Sequence, residues 1–284
     1  MDVLTAVSAT LGEGPIWHAA DRSLYWVDIL GQKVFRHDPP TGVTTVVHEG
    51  TMVTALAETS RGGLLFMTPR GLQTLDDGVL STILELSLPD TVRTNDGKCD
   101  PWGRVWLGTM DLETRRPIAE LMRYDGSGLS HPIRGLTLSN GLGWSPSGDV
   151  FYHVDSRPGV LYAHDHDPGT GEISGRRVLV DFTDTGQTPD GLALDIEGNV
   201  WLAMWNGWGV RVFDPSGAEV GRVELPVQRP TCVVFGGDDL DVLYVSTARE
   251  GLDAVDLAGQ PAAGEILALD PGVRGMPGGV FSPG

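Results

Sequence analysis

Pro101-Trp102-Gly103-Arg104-Val105-Trp106-Leu107 joins a tight turn to a run of large apolar residues, and the arrangement recurs along the chain. Pro146-Ser147-Gly148-Asp149 leads into Val150-Phe151-Tyr152, and Glu197-Gly198-Asn199 leads into Val200-Trp201-Leu202. Leu24-Tyr25-Trp26-Val27, Leu64-Leu65-Phe66-Met67 and Leu243-Tyr244-Val245 are further runs of the same kind. Short apolar runs bounded by Gly, Pro and Asp turns read as strands. No helical periodicity of comparable strength separates them. The runs begin at 24, 64, 105, 150, 200 and 243, at intervals of 40, 41, 45, 50 and 43 residues. That interval is the period of a four-stranded propeller blade. Six units occupy the 284 residues, which predicts an all-β, six-bladed β-propeller forming one domain over 1–284. A WD-repeat scaffold has a similar period, but the Trp-Asp dipeptide is absent.

The 38 acids outnumber 20 bases, leaving a formal net charge of -18. Nucleic acid is disfavoured as a partner, because its affinity rests on Lys and Arg meeting phosphates. An anionic membrane surface is disfavoured for the same reason. No apolar stretch approaches the roughly 18–20 residues of a membrane span. Met1-Asp2-Val3-Leu4-Thr5 has neither the basic start nor the apolar run of a signal peptide. Two cysteines, Cys99 and Cys232, make no disulfide framework. A cytoplasmic protein is expected, with neither nucleic acid nor membrane as partner.

In a propeller the innermost strand of each blade lines the axis, so equivalent residues of different repeats converge. Asn95, Asn140 and Asp190 each stand ten residues before the apolar run of their repeat, and Glu13 stands eleven before its own. Each is beside a glycine, as Glu13-Gly14, Asn95-Asp96-Gly97, Asn140-Gly141 and Asp190-Gly191. Thr54 takes the place in the second repeat, and Thr231 or Cys232 in the sixth. Taken singly, Asn-Gly and Asp-Gly are turn dipeptides. In phase with a repeat, four oxygen-bearing side chains define a ring. Two carboxylates facing one another there repel unless protonated or bridged by a cation. Oxygen donors of this kind suit a hard divalent ion such as Ca²⁺, Mg²⁺ or Mn²⁺.

The same residues carry a family resemblance. Leu11-Gly12-Glu13-Gly14-Pro15, followed by Leu24-Tyr25-Trp26-Val27-Asp28, resembles the opening of the senescence marker protein/regucalcin and gluconolactonase family. Arg93-Thr94-Asn95-Asp96-Gly97-Lys98, Ser139-Asn140-Gly141-Leu142-Gly143-Trp144-Ser145 and Pro189-Asp190-Gly191-Leu192 resemble its later signatures. The resemblance implies a six-bladed propeller with one axial divalent cation, Ca²⁺ or Zn²⁺ first, with Mn²⁺, Mg²⁺ or Fe²⁺ as alternatives. It implies hydrolysis of sugar lactones such as glucono-, xylono-, arabino- or galactonolactone. It places the cation ligands on Glu13, Asn140 and Asp190, and the substrate contacts on Arg93, Asn95 and Glu113. Asp111-Leu112, just before Glu113, departs from the family's usual pair. Asp190 is also the candidate general base, at short range from an attacking water. The planar fork of Arg93 suits substrate hydroxyls or a carboxylate, or else it pins its turn by pairing with Asp96 or Asp100.

Other signals point away from chemistry. His164-Asp165-His166 places two imidazoles on one face of a strand, but a strong turn, Asp167-Pro168-Gly169-Thr170-Gly171, follows at once. An exposed hairpin is expected there. No Gly-x-Ser-x-Gly elbow occurs, so a serine hydrolase is disfavoured. Cys99 reads as an inert thiol. Trp106 and Trp201 read as core, whereas Trp17, Trp144, Trp205 and Trp208 either wall a sugar site or pack between blades. Two other functions stay open: a phosphotriesterase or aryl-ester hydrolase, and a non-enzymatic calcium-binding propeller.

Overall fold

Each of the six apolar runs is the second strand of a sheet: Ser23–Asp28, Leu64–Thr68, Val105–Asp111, Val150–Asp155, Val200–Trp205 and Val242–Thr247. The computed structural model, which describes residues 1–4 and 7–282, arranges these sheets as the six blades of a β-propeller. The second strands carry long apolar runs because neighbouring blades cover both of their faces. Leu64–Thr68 and Val105–Asp111 are buried at every position, whereas the outer strand Val43–Glu49 is largely exposed. Trp26, Phe66, Trp106, Phe151 and Tyr152 are among the largest side chains removed from solvent in this layer. Each such burial contributes about 1.5–3 kcal/mol.

The inner strands are Gly12–His18, Ala55–Thr59, Val92–Cys99, Ser139–Trp144, Thr188–Leu194 and Pro230–Gly236. Consecutive inner strands pack side by side, and the sixth packs against the first. Both chain ends help to close the ring. Leu267–Leu269 is the third strand of the sixth blade, and Asp2–Val3 pairs with it as the fourth. Val280–Phe281 instead adds in parallel to Ala55–Thr59 of the second blade.

The turns before the apolar runs carry a repeated brace. Buried Asp100 accepts from the Trp102 and Arg104 amides, Arg104 Nε and Trp106 Nε1. Asp195 accepts from the Glu197 and Asn199 amides, Asn199 Nδ2 and Trp201 Nε1. One carboxylate thus fixes the turn and satisfies an indole N–H six residues on. A short helix, Ala254–Gly259, interrupts the sixth blade and is capped by Asp253. Among the described residues, no helix is long and apolar enough to cross a membrane.

The hairpin expected at His164-Asp165-His166 is present, with Val160–His166 paired antiparallel to Ile173–Asp181, but its histidines are not exposed. These residues close the strand Val160–His166, and strand alternation buries both imidazoles while Asp165 faces solvent. His166 Nδ1 meets the Gly148 carbonyl at 2.6 Å, and His164 packs against Phe151. Burial lowers the basicity of both. They are neutral core histidines.

Candidate functional site

Each ring residue sits where its inner strand slips out of register. The ladder breaks between Glu13 and Ile16, Thr94 and Gly97, Asn140 and Leu142, and Pro189 and Leu192. A β-bulge bends a strand and re-aims a side chain. The glycines beside the ring residues allow this in two ways. Gly14 and Gly141 hold positive φ. Gly97 and Gly191 let neighbouring strands approach, since a Cβ there would strike the Met67 and Cys232 side chains.

The re-aimed side chains meet in one cavity of about 290 Å³. Glu13, Arg93, Asn95, Asn140 and Asp190 all line it, and Thr54 lines it from the second blade. Thr231 is buried elsewhere, bonded to the Gly12 carbonyl at 2.6 Å. Glu113 is not brought to the cavity. It is exposed on the loop after Met110, and its neighbour Thr114 lines the wall instead.

Asn140 is oriented by its neighbours. Ser156 Oγ donates to the Pro189 carbonyl at 2.7 Å and so accepts from Asn140 Nδ2 at 2.9 Å. The amide oxygen of Asn140 is thereby left towards Asn95, whose Nδ2 donates to it at 3.0 Å. Arg93 Nη1 donates to the Thr94 carbonyl and to Asn95 Oδ1, at 2.7 and 3.2 Å. Its charge faces Glu250 and Glu13. Asp100 is engaged by Arg104 and does not pin Arg93.

Arg93 is set against Glu13, yet burial governs the carboxyls of the site. Burial, with Asp96 next in effect, pushes the Glu13 carboxyl up to about 8. Asp190 is raised well above the usual carboxylate range by burial, then by Glu13 and Asp96. Asp190 Oδ1 is buried without a hydrogen-bond partner. Among the described residues, no group of three His, Cys, Asp or Glu side chains is disposed to hold a metal. The candidate set has two carboxylates and depends on the Asn140 amide oxygen for its third donor. Two carboxyl groups, one with an orphaned oxygen, and an oriented amide oxygen fit a hard divalent cation, which would draw both carboxyls into their ionised form.

Sequence reasoning missed Asp96, Ser156 and Glu250. Asp96 lines the cavity, and burial raises its carboxyl against the opposing charge of Lys98. The signal for it was present in Asn95-Asp96-Gly97. Of the tryptophans left open, Trp205 lines this cavity. Trp17 and Trp144 line a larger one, about 690 Å³, at the opposite ends of the inner strands. Trp208 is 42% exposed and lines neither. Cys99 is buried, and burial raises its thiol far above the range of a reactive cysteine.

Propeller and axial site together define a class, and comparison with known proteins gives the family. Residues 11–249 match the model of the SMP-30/Gluconolactonase/LRE-like region, and the chain belongs to that family. It is 35% identical to pentonolactonase XacC of Haloferax volcanii, with 95% of this chain and 94% of that protein aligned. It is 37% identical to regucalcin of Oryctolagus cuniculus, over 94% and 93% of the two chains. The crystal structure of a calcium-binding protein, regucalcin from Agrobacterium tumefaciens, superposes with a TM-score of 0.94 at 30% identity. That superposition covers 98% of this chain and 96% of the other.

Proposed function

We propose that this protein is a divalent-cation-dependent hydrolase that opens sugar lactones to their sugar acids, acting as one propeller domain. The observation that carries the reading is the meeting of Glu13, Asp190 and the Asn140 amide in a cavity also walled by Arg93 and Asn95. The pentonolactonase name of one relative supports the substrate class. The calcium-binding description of a structural neighbour puts Ca²⁺ ahead of Zn²⁺, as does an all-oxygen donor set.

Glu13, Asn140 and Asp190 would hold the cation. When bound, it would polarise the lactone carbonyl and acidify water. Asp190, with Oδ1 unpartnered, would accept the proton of the attacking water. As the ring C–O bond breaks, the same carboxyl would return that proton to the leaving alkoxide. Arg93 keeps donors beyond those spent on Thr94 and Asn95, and would direct them at a substrate hydroxyl or carboxylate. Its guanidinium would also offset the acidic wall.

A pH-stat assay with several aldonolactones, with and without chelator, tests the reading. Acid release that stops on cation removal is expected. Full activity in protein shown to be metal-free by elemental analysis would overturn it. Turnover of aryl esters or phosphotriesters alone would favour that hydrolase class, and cation binding without turnover a calcium-binding propeller.

A further inference from the structure

We propose that Trp205 and Glu250 form the sugar-recognising wall of this cavity, held by Arg229, and that the wall selects a hydroxylated lactone ring over a bare one. The proposal rests on the lactonase reading and deepens it.

Trp205 ends the strand Val200–Trp205 and lines the cavity. The Arg229 guanidinium lies over its ring, 5.0 Å from the centroid. Arg229 does not itself line the cavity, so it does not occupy the space that Trp205 borders. A cation stacked on one face fixes the ring without covering the face in use. The backbone beyond is fixed as well. Asn206 and Trp208 both hold left-handed φ, near 61° and 55°. A Cβ at Gly207 between them would strike Met204. Asn206 Oδ1 accepts from Arg229 Nε at 3.1 Å and from Gln228 Nε2 at 3.3 Å. Arg229 therefore grips both the ring and its loop.

Glu250 completes the wall from the sixth blade's side. Its backbone amide is anchored on the Thr10 carbonyl, and it lines the cavity. Both Arg93 and Arg229 feel its charge. Yet its carboxylate accepts no hydrogen bond from another described residue. An exposed carboxylate and a flat aromatic ring lining one cavity match the two chemistries of a sugar ring. The C–H face packs on the indole, and the hydroxyls donate to the carboxylate. A lactone without hydroxyls keeps a C–H face for the indole but offers the carboxylate no donor.

Steady-state kinetics on an aldonolactone and on δ-valerolactone test the wall. Trp205→Ala should raise KM for the aldonolactone about 10-fold, the scale of one aromatic packing contact, with kcat changed little. KM for δ-valerolactone, whose methylenes pack on the same indole, should rise by a similar factor. Trp205→Phe should recover most of the loss, whereas Glu250→Ala should raise KM for the aldonolactone alone. Arg229→Ala should show a weaker form of the Trp205→Ala loss, partly restored in Arg229→Lys. Equal losses on both substrates in Glu250→Ala, or no change in KM for either in Trp205→Ala, would overturn the proposal. Calorimetric titration of the aldonolactam, whose amide resists hydrolysis, gives a reading independent of turnover. Weaker lactam binding in Trp205→Ala than in wild type is expected, and equal binding would refute the wall. Should the wild-type protein open neither lactone, the lactonase reading falls while the lactam titration still decides the wall.

Discussion

Asn95 Nδ2 donates to Asn140 Oδ1 across 3.0 Å, so paired amides join the third and fourth blades at the axis. The pair has a direction because Ser156 fixes the far end of Asn140. With Nδ2 committed to Ser156, the amide oxygen of Asn140 is the atom turned to Asn95, in the cavity that Glu13 and Asp190 also line. The orientation of Asn140 is therefore set by a hydroxyl that itself lines the cavity.

Ser156→Ala tests this. Losing the hydroxyl frees Asn140 to rotate and leaves its N–H groups unpaired. Removing an orienting partner of a metal ligand typically weakens affinity about 10- to 100-fold. Cation affinity of Ser156→Ala, measured by competition with a chelator, should fall on that scale while the propeller stays folded. Unchanged affinity would show that Asn140 keeps its orientation without Ser156, or does not bind the ion.

The raised carboxyls set a pH dependence for the cation-free protein. Glu13, ordinarily near 4.5, ionises at about 8 in the fold. Between those values the folded state binds more protons than the unfolded one, so stability falls as pH rises. The contribution is whole below the ordinary value and is lost by about 8. A cation held there would reverse the trend, because it would bind the ionised carboxylates. Thermal unfolding with chelator should thus show a lower Tm at about pH 8 than at about pH 5 for this group. The gain on adding Ca²⁺ should be larger at the higher pH. A gain that shrinks with rising pH would contradict the assignment of Glu13 as a ligand.

The blades were legible for a physical reason. A strand covered on both faces favours a near-continuous apolar run, so Val105-Trp106-Leu107 and its equivalents stand out against their turns. Phase with those runs then located Glu13, Asn95, Asn140 and Asp190. Asp96 escaped because consecutive strand residues ordinarily face opposite ways. The bulge between Thr94 and Gly97 cancels that alternation, so Asn95 and Asp96 both reach the cavity. Trp205 and Glu250 come from a strand end and a loop outside the ring phase, where position in the repeat says nothing of convergence. The brace at Asp100 and Asp195 was likewise hidden, since a carboxylate in a turn reads as solvated until its indole partner is placed.

Asp190→Asn separates the two tasks assigned to that residue. The substitution removes one of three buried carboxyls, Glu13, Asp96 and Asp190, whose ionisations oppose one another. The cation-free variant should therefore melt higher than wild type at about pH 8. Turnover at saturating cation should drop on the order of 10²–10⁴-fold, the usual cost of losing a general base. Occupancy must be measured in the same sample. Near-normal kcat in the loaded variant would place the base elsewhere.

Arg93→Ala separates a lactonase from a cation-binding propeller. Arg93 gives Nη1 to the Thr94 carbonyl and Asn95 Oδ1, and faces Glu250 and Glu13. It is not assigned to the cation, so affinity for Ca²⁺ should change little. If the guanidinium holds ground state and transition state alike, KM rises while kcat is spared. A charge-assisted hydrogen bond contributes roughly 1.5–3 kcal/mol, hence about 10- to 150-fold in kcat/KM. Arg93→Lys should recover only part, because an ammonium does not reproduce the two-pronged fork. A purely structural Arg93 predicts otherwise: a lower Tm, with catalysis intact in the folded fraction. Thermal unfolding and steady-state kinetics on one preparation of Arg93→Ala decide between these outcomes.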